Sequence, residues 1–225
     1  MIYFSIKEFN VFDDLDDSKS YLLIIKNKKL LYSFVNDMRE GSIELEYFQF
    51  YNEDNKLLSS TDYIDFIPSL FYLELNSKRN VSTLFKILKA NCRSDFNQFI
   101  KNLENELEGL FNILKYESPV EIEKEIDIDD NDILKLLNLS IFNPKDDLLS
   151  NIINYINVCF ELRKTKVFVF YNLLCFLTLE EIESILNFCK LHHISIVNIE
   201  YDKLGDYNFD IVKIIDDDLC LLEKL

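Results

Sequence analysis

The sequence predicts an α/β protein in which a head of strands and helices is interrupted by a helical leg. Three observations predict it. Strand and helix patterns alternate at both ends of the chain, and helical patterns fill the middle. KVFVFYN (166–172) is a continuous apolar run, as expected of a strand buried on both faces of a parallel sheet. Only three Gly and three Pro occur in 225 residues, so turns and linkers are scarce and most of the chain is regular structure. The expected boundaries are 1–74 and 161–225 for the head, and 75–160 for the leg.

Each element has its own signal. YLLIIKN (21–27) reads as a short buried strand, and KKLLYSFVNDMREG (28–41) as a helix stopped by Gly41. IELEYFQFYNED (43–54) alternates as a strand does. Residues 61–75 fit either a strand at FYLEL or the approach to a helix. A long helical pattern runs from Ser77 to about Tyr116, with a break expected near Asn91–Asp95. It keeps Phe96, Phe99, Leu103, Leu107 and Leu110 at helical spacing, and Pro119 ends it. EIEKEIDID (121–129) alternates like a strand, and DNDILKLLNL restarts a helix behind an Asp cap. PKDDLLSNIINYINVCFELRK (144–164) is a further helix. Thr178 and Glu181 have capping-box spacing and open a helix to about Lys190. ISIVNIEYD (194–202) is a strand, and FDIVKIIDDDLCLL (209–222) supplies one or two more.

Apolar residues make up 48% of the chain, enough for a core. No apolar run reaches the roughly 18 uncharged residues of a membrane span, so no membrane partner is expected. The N-terminus lacks the basic start, long apolar stretch and small-residue site of a signal peptide. The five cysteines are scattered among apolar neighbours and odd in number, which predicts reduced core thiols in a cytoplasmic protein. A net charge of −16, evenly spread, would repel nucleic acid. It is not evenly spread. Residues 19–39 hold five Lys/Arg and one acid, and residues 76–101 hold six and one, so these windows sum to +9 and the remainder to −25.

The second window is the sharper one. Arg79, Ser82, Lys86, Lys89 and Arg93 fall within an arc of about 80° on a helix, opposite Val81, Leu84 and Leu88. Any amphipathic helix has a charged face. Here no acid occurs between Asn76 and Ser94, and an unmixed cationic stripe in so acidic a chain points to a phosphate track. Lys26, Lys28 and Lys29 form a second basic group.

The acids have their own pattern. Glu121, Glu123, Glu125, Asp127 and Asp129 recur at period two, on one face of an extended strand. Two readings are open: a charged edge strand that resists aggregation, and a Ca²⁺ site, since hard cations want several oxygen ligands. Asp127-x-Asp129-x-Asn131 starts like an EF-hand loop. Asp132 then stands where Gly is needed and Asn138 where the bidentate Glu is needed, so any calcium site is of another kind.

Several enzyme signals are absent. Neither G-x-x-x-x-G-K-[ST] nor G-x-G-x-x-G occurs. Asp17-Ser18-Lys19 fits the end of a nuclease pattern without its upstream partner. Cys189 with His192 and His193 lacks a second pair for zinc.

Taken together, KVFVFYN, FLTLEEIESILNFCKLHH, a strand ending at Ile199-Glu200 and FDIVKIIDDDLCLL resemble the DNA-end-binding ring proteins of type II-A CRISPR adaptation, the Csn-two family. Asn76-Ser77 leading to Leu84-Phe85-Lys86-Ile87, and the acidic segment with its Asp132-Ile133 restart, extend the likeness over roughly 70–220. The resemblance implies a head like a degenerate nucleotide-binding fold without its phosphate loop. It implies a homotetrameric ring whose basic lumen encircles double-stranded DNA ends, supported by Ca²⁺ and without catalytic activity. It implies a place in spacer acquisition beside the CRISPR integrase and the RNA-guided effector nuclease. The DNA-binding candidates are then Lys86, Lys89, Arg93, Arg79, Lys26, Lys28 and Lys29. The candidate Ca²⁺ ligands are Glu123, Glu125, Asp127, Asp129 and Asp132. Two rival functions stand beside this one: a metal-dependent nuclease, and an acidic protein-interaction module that binds no DNA.

Overall fold

The architecture was read from a computed structural model, which describes residues 2–6, 9–12, 15, 19–40, 48–52, 54, 56–57, 64–124, 128–143, 147–202 and 205–223. The elements, in chain order, begin with β1 (Ile2–Ile6), β2 (Phe9–Phe12), β3 (Ser20–Ile25), α1 (Lys28–Glu40), β4 (Phe48–Asn52) and β5 (Ile64–Ile67). Three helices follow: α2 (Lys78–Asn91), α3 (Arg93–Glu117) and α4 (Asp130–Leu136). The chain ends with α5 (Leu148–Arg163), β6 (Val167–Tyr171), α6 (Leu179–Leu191), β7 (Ser195–Glu200), β8 (Ile211–Ile215) and β9 (Leu221–Glu223). They form two units, Met1–Glu74 with Asn143–Leu225, and Leu75–Phe142.

In the first unit, six strands run in the order β5-β6-β7-β3-β8-β9, with only β9 antiparallel to its neighbour. Every residue of β3 is buried. The strand period of two sorts them: Tyr21, Leu23 and Ile25 join one core cluster, and Leu22 and Ile24 the other. Both faces are therefore covered, as a parallel sheet requires. One cover is α1 with a second, antiparallel sheet in the order β2-β1-β4, where Phe4 stacks on Phe50 with ring centroids 4.8 Å apart. The sequence reading gave no strands to residues 2–12. Its strand at 43–54 appears as β4, and residues 43–47 lie outside the described set. The strand near residues 61–75 is β5, not FYLEL, which runs irregularly towards α2.

The other cover is α5 and α6. Helix α5 was expected in the leg, with the head resuming at 161. Its buried residues Ile152, Ile156 and Cys159 instead pack in the cluster of Phe168 and Phe170, so the helix belongs to the sheet unit. Tyr155 and Arg163 tie it to β5: the Tyr155 hydroxyl donates to Asp65 Oδ2 at 3.0 Å, and the Arg163 guanidinium pairs with the same oxygen. Burial, with the Asp65 charge beside it, holds the Tyr155 hydroxyl protonated well above its usual range. The core-thiol expectation holds for Cys159 and Cys189, whose pKa values burial pushes up to about 11 and about 12. It fails for Cys175 and Cys220, which are exposed, and for Cys92, which is half-buried. No helix among the described residues is long and apolar enough to cross a membrane.

In the second unit, Ser77 caps α2 by accepting from Asn80 N. Asn80 is buried, and its Nδ2 donates to Leu75 O at 2.9 Å. Asn76 closes the base of the unit: its Nδ2 donates to Ile141 O at 3.0 Å, and its Oδ1 accepts from Ile141 N at 2.6 Å. The long helical pattern breaks at Cys92, inside the expected window, because Cys92 takes φ −111° and ψ 21° between α2 and α3. Residues 121–124 and 128–129 are not strand, contrary to the alternating pattern. An alternating segment becomes a strand only with a partner for its backbone. Lys124 leaves its acidic neighbours and reaches α3, pairing with Glu108 at 3.0 Å and lying 5.0 Å from the Phe111 ring centroid.

Candidate nucleic-acid interface

Helix α2 sets the basic face. Its helical period turns Arg79 and Lys86 outward, where both are exposed, while Leu84 and Leu88 are half-buried. Lys89 is half-buried and already engaged: its Nζ donates to Asn131 Oδ1 at 3.1 Å. Arg93 is exposed but opens α3, beyond the break, so it does not continue the single arc the spacing predicted. Asn131, 42 positions from Lys89, was missed because no local pattern could pair the two.

Lys26, Lys28 and Lys29 are exposed in the other unit, at the carboxyl end of the central strand. The β3–α1 connection is only Lys26 and Asn27. Asn27 Oδ1 accepts from Lys29 N at 3.1 Å and Leu30 N at 3.0 Å, and its Nδ2 donates to Asp217 O at 3.0 Å. A helix N-terminus behind a strand is a common phosphate seat. Here an Asn cap occupies those amides and no glycine loop precedes them, so these lysines can meet phosphate as point charges without cradling a nucleotide.

The acids are arranged as a cap. Asp129 Oδ1 accepts from Asp132 N at 2.9 Å, and Asp129 Oδ2 from Asn131 Nδ2 at 2.9 Å. Asp132 Oδ2 accepts in return from Asp129 N at 3.2 Å, and its Oδ1 accepts from Lys135 Nζ at 3.2 Å. This is a reciprocal capping box on α4. The Asp132 amide, then the Asn131 side chain, hold the Asp129 carboxyl below the usual carboxylate range. Ca²⁺ takes six to eight oxygens; Asp129 and Asp132 offer four, each already accepting one hydrogen bond from the cap or from Lys135, so these two residues alone do not make a calcium site. Glu123 is exposed, and Glu125 and Asp127 lie outside the described residues. Among the described residues, no three His, Cys, Asp or Glu side chains gather to hold a metal.

Other polar groups have structural employment. Glu200 is buried at the end of β7, where it accepts from Leu174 N at 2.8 Å and Asn198 Nδ2 at 3.0 Å. Burial raises its pKa, against those two bonds. His192 packs on Phe188, with centroids 4.4 Å apart, at the end of α6. Asp17 and Ser18 of the nuclease-like triplet lie outside the described residues.

The unit also carries an apolar groove of about 530 Å³ between α3 and α4, lined by Phe96, Phe99, Leu103, Ile133, Leu136 and Leu137. No residue of α3 is buried, and Phe99, Leu110, Ile113 and Leu114 are exposed.

Comparison with known proteins bears on fold and family. No curated protein matches the chain. A crystal structure of a nucleotide-free ATP-binding cassette from an ABC transporter is similar, with TM-score 0.50 and 15% identity, covering 100% of this chain and 92% of that one. The ADP conformation of another ATP-binding cassette aligns at TM-score 0.48 and 14% identity, over 96% of this chain and 87% of that one. At 15% identity the first likeness is one of fold: the head is of the nucleotide-binding type. Residues 43–219 match the family described as CRISPR-associated protein (Cas_Csn2), well over half the sequence. The chain therefore belongs to the CRISPR-associated Cas_Csn2 family, whose role is in CRISPR adaptation.

Proposed function

We propose that this protein binds double-stranded DNA by its phosphates and its ends, without reading sequence, as a homotetrameric ring. The observation that carries the reading is the exposed, unmixed cationic face of α2, with Arg79 and Lys86 on it, in a chain of net charge −16. Phosphate contacts fix position and carry no sequence code, and this face offers point charges and no Asn or Gln set for base edges. Arg93, Lys26, Lys28 and Lys29 are exposed and serve as further phosphate contacts. Self-association is supported by α3, a 25-residue helix with no buried residue and a row of exposed apolar side chains.

Calcium support is proposed for the charge of segment 121–132 as a whole, with Asp129 and Asp132 left in the cap. The protein is proposed to act without catalysis, beside the CRISPR integrase and the RNA-guided effector nuclease. A metal-dependent nuclease would need acids converging from different elements, and incubation of labelled duplex with Mg²⁺ or Mn²⁺ separates that rival by cleavage.

The test is Arg79→Glu with Lys86→Glu, assayed on two linear duplexes of unrelated sequence. Both side chains are exposed, so folding should survive. Affinity should fall at least tenfold, and equally on both duplexes. Unchanged affinity would overturn the reading.

A further inference from the structure

We propose that Lys89 is shared between two partners, the Asn131 amide at the cap of α4 and duplex phosphate, so that the acidic segment restrains the basic face and DNA binding loosens α4. This inference rests on the proposed binding of DNA by α2.

The geometry is a relay. Lys89 Nζ donates to Asn131 Oδ1 at 3.1 Å, and Asn131 Nδ2 donates to Asp129 Oδ2 at 2.9 Å. Asp129 is in turn the residue that caps α4. Lys86, one turn earlier on α2, is exposed, whereas Lys89 is half-buried by this engagement. A lysine carries its charge on a flexible stem with rotatable donors, so it can swing from the amide to a phosphate without moving the helix backbone.

Helix α4 can register the loss. It has seven residues, too few to be stable alone, and it depends on its cap and on packing. Ile133 and Leu134 are buried and keep it docked, while its N-terminus relies on Asp129, Asn131 and Asp132. When phosphate takes Lys89, Asn131 loses the lysine that holds it against Asp129, and the first turn of α4 frays. Linkage is reciprocal: whatever weakens the hold of Asn131 and Asp129 on Lys89 strengthens DNA binding through Lys89 by the same factor.

The experiment uses five full-length proteins: wild type, Lys86→Glu, Asp129→Asn, Lys89→Met and the Asp129→Asn, Lys89→Met double variant. Asn is as good a cap as Asp, so Asp129→Asn keeps the acceptor for Asp132 N and removes the charge that holds the relay. Affinity for a fluorescent linear duplex is measured at one salt concentration. Asp129→Asn should bind about fivefold tighter, at the low end of site-to-site coupling, and the gain should vanish when Lys89 is Met. Hydrogen exchange at 130–136 should quicken on adding duplex to wild type and not to Lys89→Met. Asn131→Ala, which breaks the relay without touching the cap acceptor, is the second variant should Asp129→Asn fail to fold. An equal gain with and without Lys89 would mean mere relief of long-range repulsion and would overturn the proposal. If Lys86→Glu and Lys89→Met both bind like wild type, the failure lies in the DNA reading itself, and this inference falls with it.

Discussion

Asp65 accepts from two side chains of α5, and that pair of contacts was illegible in the sequence. Ninety-eight positions separate Asp65 from Arg163, and nothing local marks either as a partner. The Arg163 and Asp65 side chains are only 8% and 14% exposed, so removing one leaves the other desolvated. Asp65→Ala should cost about 3–5 kcal/mol in a urea titration, as breaking buried pairs does. Replacing both with apolar residues, Asp65→Leu with Arg163→Met, should recover much of that loss. A single variant as stable as wild type would mean that water replaces the pair.

Glu200 gives a pH-dependent counterpart. Its folded pKa is raised by burial, so the fold favours the protonated form. Stability is then fullest below the unfolded pKa, near 4.5, and is lost as pH rises through the raised folded value. Glu200→Gln should leave the melting temperature unchanged at low pH and raise it at pH above that window. An equal shift at every pH would show that the charge is not the cause.

At the scale of elements, the patterns that survived are those whose period answers to one environment. β6 reads as a buried strand and β7 as a strand, and both meet core on both faces; α6 was legible from Thr178 and Glu181, which form the reciprocal box the spacing implied. Elements were misread where a neighbour decides. The acids at 121–129 alternate as a strand does, yet Lys124 turns towards Glu108 and Asp129 turns into a helix cap. Helix α5 was assigned to the wrong unit because its apolar face does not say which core it joins. Thr178→Ala should cost about 1 kcal/mol of stability, as the loss of a cap does, and thermal unfolding would detect it. Asn76→Ala should loosen the entry and exit of the helical unit, since both of its bonds go to Ile141. Limited proteolysis should then cut near 141–143 faster than in wild type, and an unchanged pattern would mean that the latch is dispensable.

At the scale of the whole molecule, the chain's acidity and the proposed DNA binding are compatible only if charge is segregated. The candidate site was legible to that extent: the stripe on α2 is exposed at Arg79 and Lys86 as its spacing predicted. The engagement of Lys89 was not legible, because Asn131 reaches it across the fold. The proposed closed ring must thread onto a free end, so relaxed closed circles should bind much more weakly than the same DNA linearised, and equal binding would exclude threading. If Ca²⁺ supports the proposed tetramer, removing it with EGTA should lower the native mass, and an unchanged mass would leave the acidic segment a plain solvated surface. The central claim is that α2 neutralises phosphates, and the salt dependence of duplex binding tests it most directly. Each neutralised phosphate contributes about 0.9 to the slope of log K against log salt. Lys86→Glu should flatten that slope by at least this amount, multiplied by the number of subunits that touch the duplex. A folded Lys86→Glu variant that binds linear DNA with the wild-type slope would contradict the account.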